Sequence, residues 1–285
     1  MKTYLDCIPC FVRHCLEAVQ MATDDIGIHE RVLRQGLRLA SEVDYSQSPP
    51  ATAQMMHRFI REATGVRDPY SDVKSRFNKL ALKMYPELKK LVESSVEPLG
   101  TAVRLAIAGN IIDSGVNLEI PHDKVEEAVA ESLRRSLDAQ ALEGFTQAVN
   151  KAQDILYLGD NAGEIVFDRL LIEQLPCEKI TFVVKGGPIL NDALAEDAET
   201  VGLADIVQVI DNGSDAPGTI LEDCSEEFRG RFEDADLVIA KGQGNYETLS
   251  DVDRCVFFML QPKCKVLAED LGREIGSLAL IHKRS

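Results

Sequence analysis

The chain has 285 residues, 45% of them hydrophobic and 27% charged, which leaves room for one large domain or two unequal ones with ordinary cores. Its 47 acidic residues outnumber 31 basic ones, for a formal net charge of −16. Such a field repels nucleic acid and anionic membranes, so neither is expected as a partner.

No stretch reaches the about 18 uninterrupted apolar residues of a membrane helix. The opening MKTYLDCIPCFVRHC lacks the apolar core of a signal peptide, and a cytoplasmic protein is expected. Seven cysteines, an odd number in a chain of this size, argue against a disulfide framework. An anionic substrate would need help against the overall charge, and a bound cation with a few local donors supplies it.

The chain opens with Cys7-x-x-Cys10, followed by His14 and Cys15. Half of a zinc site, a redox pair and a second metal site are the functional readings of Cys7 and Cys10. The plainer reading is a helix start with small apolar thiols. Segments near 10–22, 29–43, 50–64, 72–93, 98–112 and 123–150 then show apolar spacings of three and four, the helical period. Ser48-Pro49-Pro50, Gly65, Asp68-Pro69, Pro98 to Gly100 and Pro121 punctuate them. Residues 1–150 are therefore expected to form an all-helical domain.

After about residue 150 the period changes. Short apolar runs at 154–158, 180–184, 206–210, 237–240, 265–268 and 278–281 are separated by helix-length segments. Most are rich in β-branched residues and apolar on both faces, as in a parallel sheet covered on both sides. Residues 151–285 are expected to be a three-layer α/β/α sandwich with a mostly parallel sheet of five or six strands.

Four of these runs end in unusual loops: Gly159-Asp160-Asn161-Ala162-Gly163-Glu164, Lys185-Gly186-Gly187-Pro188 with Asn191-Asp192, Asp211 to Asp215, and Lys241-Gly242-Gln243-Gly244-Asn245. Carboxyl ends of parallel strands share one sheet edge, where α/β ligands bind. Asp160, Asn161 and Asp192 offer oxygen ligands suited to a hard divalent ion. Glycines 186, 187, 242 and 244 would let backbone N–H groups approach an anion, with Lys185 and Lys241 as point charges and Asn191 a further substrate contact. Each loop alone reads as a turn or a cap; four on one edge read as a site. The five histidines match no ligand spacing and lie away from these loops.

GDNAGE, KGGPILNDA, DNGSDAPG and AKGQGNYE, in this order, resemble the metal-dependent damage-control phosphatases, a former domain-of-unknown-function family related to the ARMT-type proteins. The resemblance extends to the CIPC pair, DPYSDVKSRFN at 68–78 and AGNIIDSG at 108–115, and so covers nearly the whole chain. It implies hydrolysis of phosphate monoesters of small metabolites, sugar phosphates or damaged side products, with Mn²⁺, Mg²⁺, Co²⁺ or Ni²⁺. It implies that Asp160, Asn161 and Asp192 hold the metal, that Lys241 contacts phosphate, and that Asn110 and Asp113 close the cleft. Asp160 and Asp192 are the expected catalytic carboxylates, Asp160 foremost as base or nucleophile toward an attack by water or by the carboxylate itself.

Two other readings compete. A nucleotide-cofactor enzyme, an S-adenosylmethionine-dependent methyltransferase or an NAD-dependent dehydrogenase, would also follow a strand with a glycine loop. Here the G-x-G-x-x-G fingerprint is absent, and Lys185 stands where a ribose-binding acid belongs. A non-catalytic module binding a metal or phosphometabolite would use the same loops.

Overall fold

The computed structural model describes residues 1–109 and 122–283. Three amphipathic helices come first: α1 (Cys7–Ala22), α2 (Ile26–Ser41) and α3 (Pro49–Thr64). The Asp25 carboxylate accepts from the Gly27 and Ile28 N–H groups to start α2. Pro49 opens α3, and Gly65 at φ +73° closes it. The three bury Phe11, Cys15, Val19, Val32, Met56 and Ile60 in a core of their own.

Four more helices follow: α4 (Ser71–Glu93), α5 (Pro98–Ala108), α6 (His122–Arg134) and α7 (Ala139–Lys151). The segment expected as one helix over 123–150 is thus two. Asp138 accounts for the break, because its carboxylate caps a new start through the Gln140 and Ala141 N–H groups.

The sheet strands are β1 (Ile155–Leu158), β2 (Ile180–Val184), β3 (Gln208–Asp211), β4 (Leu237–Lys241), β5 (Val256–Leu260) and β6 (Ala279–Lys283), in spatial order β3-β2-β1-β4-β5-β6. Five are parallel and β6 is antiparallel to β5. The intervening helices are α8 (Glu164–Ile172), α9 (Ala195–Thr200), α10 (Glu226–Asp234), α11 (Gly242–Leu249) and α12 (Lys265–Leu271).

Alternation along the strands makes the three layers. Ile155, Tyr157, Phe182 and Phe257 face one side, against Met84 and Leu88 of α4, Leu105 of α5, Phe145 of α7 and the apolar face of α8. Leu156, Leu158, Val238 and Phe258 face the other, against Phe228, Phe232, Tyr246 and Leu267 of α10 to α12. The α/β/α sandwich is as expected, and helices α4, α5 and α7 form part of one of its outer layers.

One expected strand is corrected. Residues 265–268 lie in α12, with Leu267 and Ala268 buried and Lys265, Glu269 and Asp270 exposed. The strand is instead Val256–Leu260, hydrogen-bonded on both sides by β4 and β6. A four-residue apolar run fits either period, and the sheet's hydrogen bonds decide between them. This places the loop Gln261-Pro262-Lys263-Cys264 on the same edge as the other strand-end loops.

The order reverses between β1 and β4: β2 and β3 extend one way from β1, and β4 and β5 the other. That crevice is the switch point of a doubly wound sheet.

Candidate active site at the switch point

The first two strand-end loops are stitched together by backbone. Asn161 and Asp192 form an isolated antiparallel bridge. Ala162 N–H donates to Asn191 O and Ala193 N–H to Asp160 O, each at 2.8 Å. Residues far apart in sequence, Asp160 and Asn161 against Asn191 and Asp192, are thereby fixed side by side. All four side chains are buried.

The β4 loop arrives from the other side of the crevice. Gly242 opens α11 at φ +78°, and the Asp160 carboxylate occupies the space where a Cβ on residue 242 would stand. Only glycine satisfies both demands, so Gly242 lets the two loops close on each other. Asn245 fastens them: its amide donates to Gly159 O at 3.3 Å and to Lys241 O at 2.7 Å, and its oxygen accepts the Thr219 hydroxyl at 2.8 Å.

Below lies a buried ionic network. The Lys241 ammonium donates to Glu164 Oε1 at 2.6 Å, Asp168 Oδ1 at 2.5 Å and Ala106 O at 2.8 Å. Glu164 Oε2 accepts from the Asn161 amide at 3.1 Å, and that amide also donates to Asp160 Oδ2 at 3.0 Å. Lys185, also buried, donates to Gly218 O at 2.5 Å and lies 3.6 Å from Asp192 Oδ2.

Helices from the first half of the chain support the loops. Asn78 of α4 accepts the Gly163 N–H at 2.7 Å, and its amide donates to Asp197 at 2.8 Å. On α3, Gln54 and Arg58 bond Asp215 and Asp223, while Arg61 pairs with Asp215 and donates to Pro188 O at 2.9 Å. His57 is buried beside these groups. Burial first, and then the Arg61 charge, drive its pKa down to about 3, so the ring is neutral. One histidine therefore approaches a strand-end loop, contrary to expectation, but without a charge to offer.

Electrostatics single out Asp160. Burial, then the Glu164 and Asp192 carboxylates, push its pKa well above the ordinary carboxylate range, and Lys185 and Lys263 oppose this. The pocket and the network beneath it bury four carboxylates, Asp160, Asp192, Glu164 and Asp168, against two ammonium groups, Lys185 and Lys241. Two carboxylates and an amide, all oxygen donors, fit a hard divalent cation, and a cation would relieve the repulsion. Among the described residues, this pocket included, no three His, Cys, Asp or Glu side chains gather in a metal-holding group, so the ligand set here is two carboxylates completed by an amide oxygen.

Several expected contacts are corrected by the geometry. Lys241 lies inside the protein with its three ammonium hydrogens taken by protein oxygens, so it braces the site and does not face a substrate phosphate. The Gly186 and Gly187 N–H groups donate to Ser214 O. A Cβ on Gly186 would strike the Gly213 backbone, and one on Gly244 the Pro217 carbonyl. These glycines let loops pack together, and no anion is needed to explain them.

Asn110 and Asp113 lie outside the described residues. Cys7 is half-buried and Cys10 exposed in the first turn of α1, and all seven cysteines are free thiols. Burial, then a neighbouring Cys264, push the Cys10 thiol up. Asn191 and Gly242 both lie at the meeting of the loops.

Glu164, Asp168 and Lys263, outside the expected set, also reach the pocket or the network beneath it. A signal existed for the first two, because four-residue spacing puts both acids on one face of α8. Lys263 was hidden by the missed strand β5. It is exposed and close enough to Asp160 to oppose the rise of its carboxyl pKa.

The fold and site define a doubly wound α/β protein with an acidic, oxygen-donor pocket at its topological switch point. The family profile described as the damage-control phosphatase ARMT1-like domain matches residues 3–278. The chain belongs to that family. A damage-control phosphatase of Archaeoglobus fulgidus is 36% identical over 286 residues, covering 98% of each chain. One from Pyrococcus horikoshii is 34% identical over 100% of this chain and 99% of its own. An uncharacterised protein of Methanocaldococcus jannaschii is 35% identical over 99% of this chain and 96% of its own. The crystal structure of a DUF89 family protein from Pyrococcus horikoshii superimposes with a TM-score of 0.90 at 32% identity, covering both chains fully.

Proposed function

We propose that this chain is a divalent-cation-dependent phosphatase that hydrolyses phosphate monoesters of small metabolites, damaged or side-product phosphometabolites among them. The observation that carries the reading is the backbone bridge between Asn161 and Asp192, which gathers Asp160, Asn161 and Asp192 from two strand ends into one over-acidic pocket. These three side chains would hold the cation, with Mn²⁺, Mg²⁺, Co²⁺ and Ni²⁺ the candidates. A cation so held supplies Lewis-acid stabilisation of a phosphate oxygen.

The chain's own residues supply the rest. Asp160 sits where the loops of β1, β2 and β4 meet, and is the carboxylate placed to accept a proton from attacking water or to attack phosphorus itself. Lys185 partly offsets the Asp192 charge from within the protein. Lys263, exposed on the loop after β5, is the lysine placed to contact phosphate in place of the buried Lys241, and its long stem lets it follow an incoming anion. Asn191 and Gly242 border the same space. The site is acidic, so Lys263 and a bound cation would have to offset that charge for an anionic substrate to enter.

No helix of the described residues is long and apolar enough to cross a membrane. Seven free thiols fit a reducing compartment, and we place the protein in the cytoplasm.

The deciding experiment is a phosphate-release assay of the metal-stripped protein against a panel of sugar phosphates and phosphorylated cofactor precursors. Turnover should appear only on adding one of the four cations. Tight binding of a panel member without phosphate release would favour the non-catalytic reading.

A further inference from the structure

The buried network beneath the pocket is costly to fold. Glu164 and Asp168, one turn apart on α8, repel each other across a single cation. Their side chains and that of Lys241 are at most 1% exposed. Asp168 Oδ2 has no hydrogen-bond partner among the described residues. Burying such a cluster seldom stabilises a protein more than apolar side chains of similar size would. Its geometry nonetheless leads straight to the pocket. Tyr157 OH donates to Asp168 Oδ1 at 2.8 Å, and Lys241 joins Asp168 to Glu164. Glu164 then takes one hydrogen of the Asn161 amide and Asp160 the other. With both amide hydrogens directed at carboxylates, the Asn161 carbonyl oxygen is turned away from them.

Resting on the cation-site reading above, we propose that Asp168 and Tyr157 are positioning residues for that site: they anchor Lys241, Lys241 fixes Glu164, and Glu164 orients the Asn161 amide so that its oxygen serves the cation. Neither residue touches the ion or the substrate. Partners that orient a ligand from behind typically contribute 10- to 100-fold in metal affinity.

The test is calorimetric titration of Mn²⁺ into metal-stripped wild type, Asp168→Asn and Tyr157→Phe, with thermal melting of each without metal. Asp168→Asn should raise the Mn²⁺ Kd roughly tenfold. Tyr157→Phe should raise it about fivefold, the worth of one ordinary hydrogen bond. Phosphatase activity at saturating Mn²⁺ should be largely regained in both. A merely structural role would lower the metal-free melting temperature and leave the Kd of the folded protein unchanged, which would overturn the proposal. If Asp168→Asn does not fold, Tyr157→Phe decides alone. Wild type that takes up no Mn²⁺ would defeat the site reading itself, a result distinct from variants that bind like wild type.

Discussion

The Asp160 carboxylate lies against the backbone of Gly242, in the space that any larger residue at position 242 would claim. The contact joins the end of β1 to the start of α11 across the switch point. It also brings a buried acid to the amino terminus of a helix, where N–H dipoles favour negative charge.

Gly242→Ala is therefore expected to damage the site more than the fold. The new Cβ must displace the Asp160 carboxylate, and φ +78° adds about 1–2 kcal/mol of backbone strain. Mn²⁺ affinity should fall at least tenfold, the order expected when a ligand loses its orientation. Parallel titration and thermal melting would show it; unchanged affinity would show that the carboxylate position does not matter.

Asp160→Ala and Asp192→Ala should each abolish cation-dependent hydrolysis while the protein stays folded. Asp160→Ala removes one member of a repelling carboxylate pair, so its melting without metal should hold steady or rise, whereas Asp192→Ala leaves the buried Lys185 without its carboxylate and should melt somewhat lower. Added Mn²⁺ should no longer raise the melting temperature, although it does so in wild type by mass action. Wild-type-like turnover in both variants would remove the site assignment.

Lys263→Ala separates the two lysine assignments. An exposed cation contributes little to stability, so melting should barely move. KM for a phosphate ester should rise about tenfold, the effect of roughly 1.4 kcal/mol of lost binding. A KM that is unaffected here would leave Lys263 without a substrate role.

Glu247 predicts a pH effect outside the pocket. Burial raises its pKa to about 7, against opposition from the Gln243 hydrogen bond and the amino-terminal ammonium. A carboxyl with a raised folded pKa binds its proton more tightly in the folded state. The stability that Glu247 contributes is then fully present below about pH 4.5 and is lost as pH rises to about 7. Glu247→Gln should flatten that part of the curve in urea titrations of metal-stripped protein. A decline of the same size in the variant would assign it to another group.

The periods of the chain by themselves determined the helical first half, the sandwich second half, and the placing of Asp160, Asn161 and Asp192 at strand ends. They did so because apolar spacing follows local geometry, and because parallel strands carry their loops to one edge. The same periods put one strand at 265–268, where Val256–Leu260 forms it instead. A short apolar run becomes a strand only when neighbours supply its hydrogen bonds, and losing β5 also concealed Lys263. Tertiary structure alone decided what the charged residues do. Lys241 turned inward because two acids of α8 and a carbonyl of α5 wait there, and the loop glycines pack against neighbouring loops. Charge and residue type are local properties of the chain, whereas burial and partners belong to the folded whole.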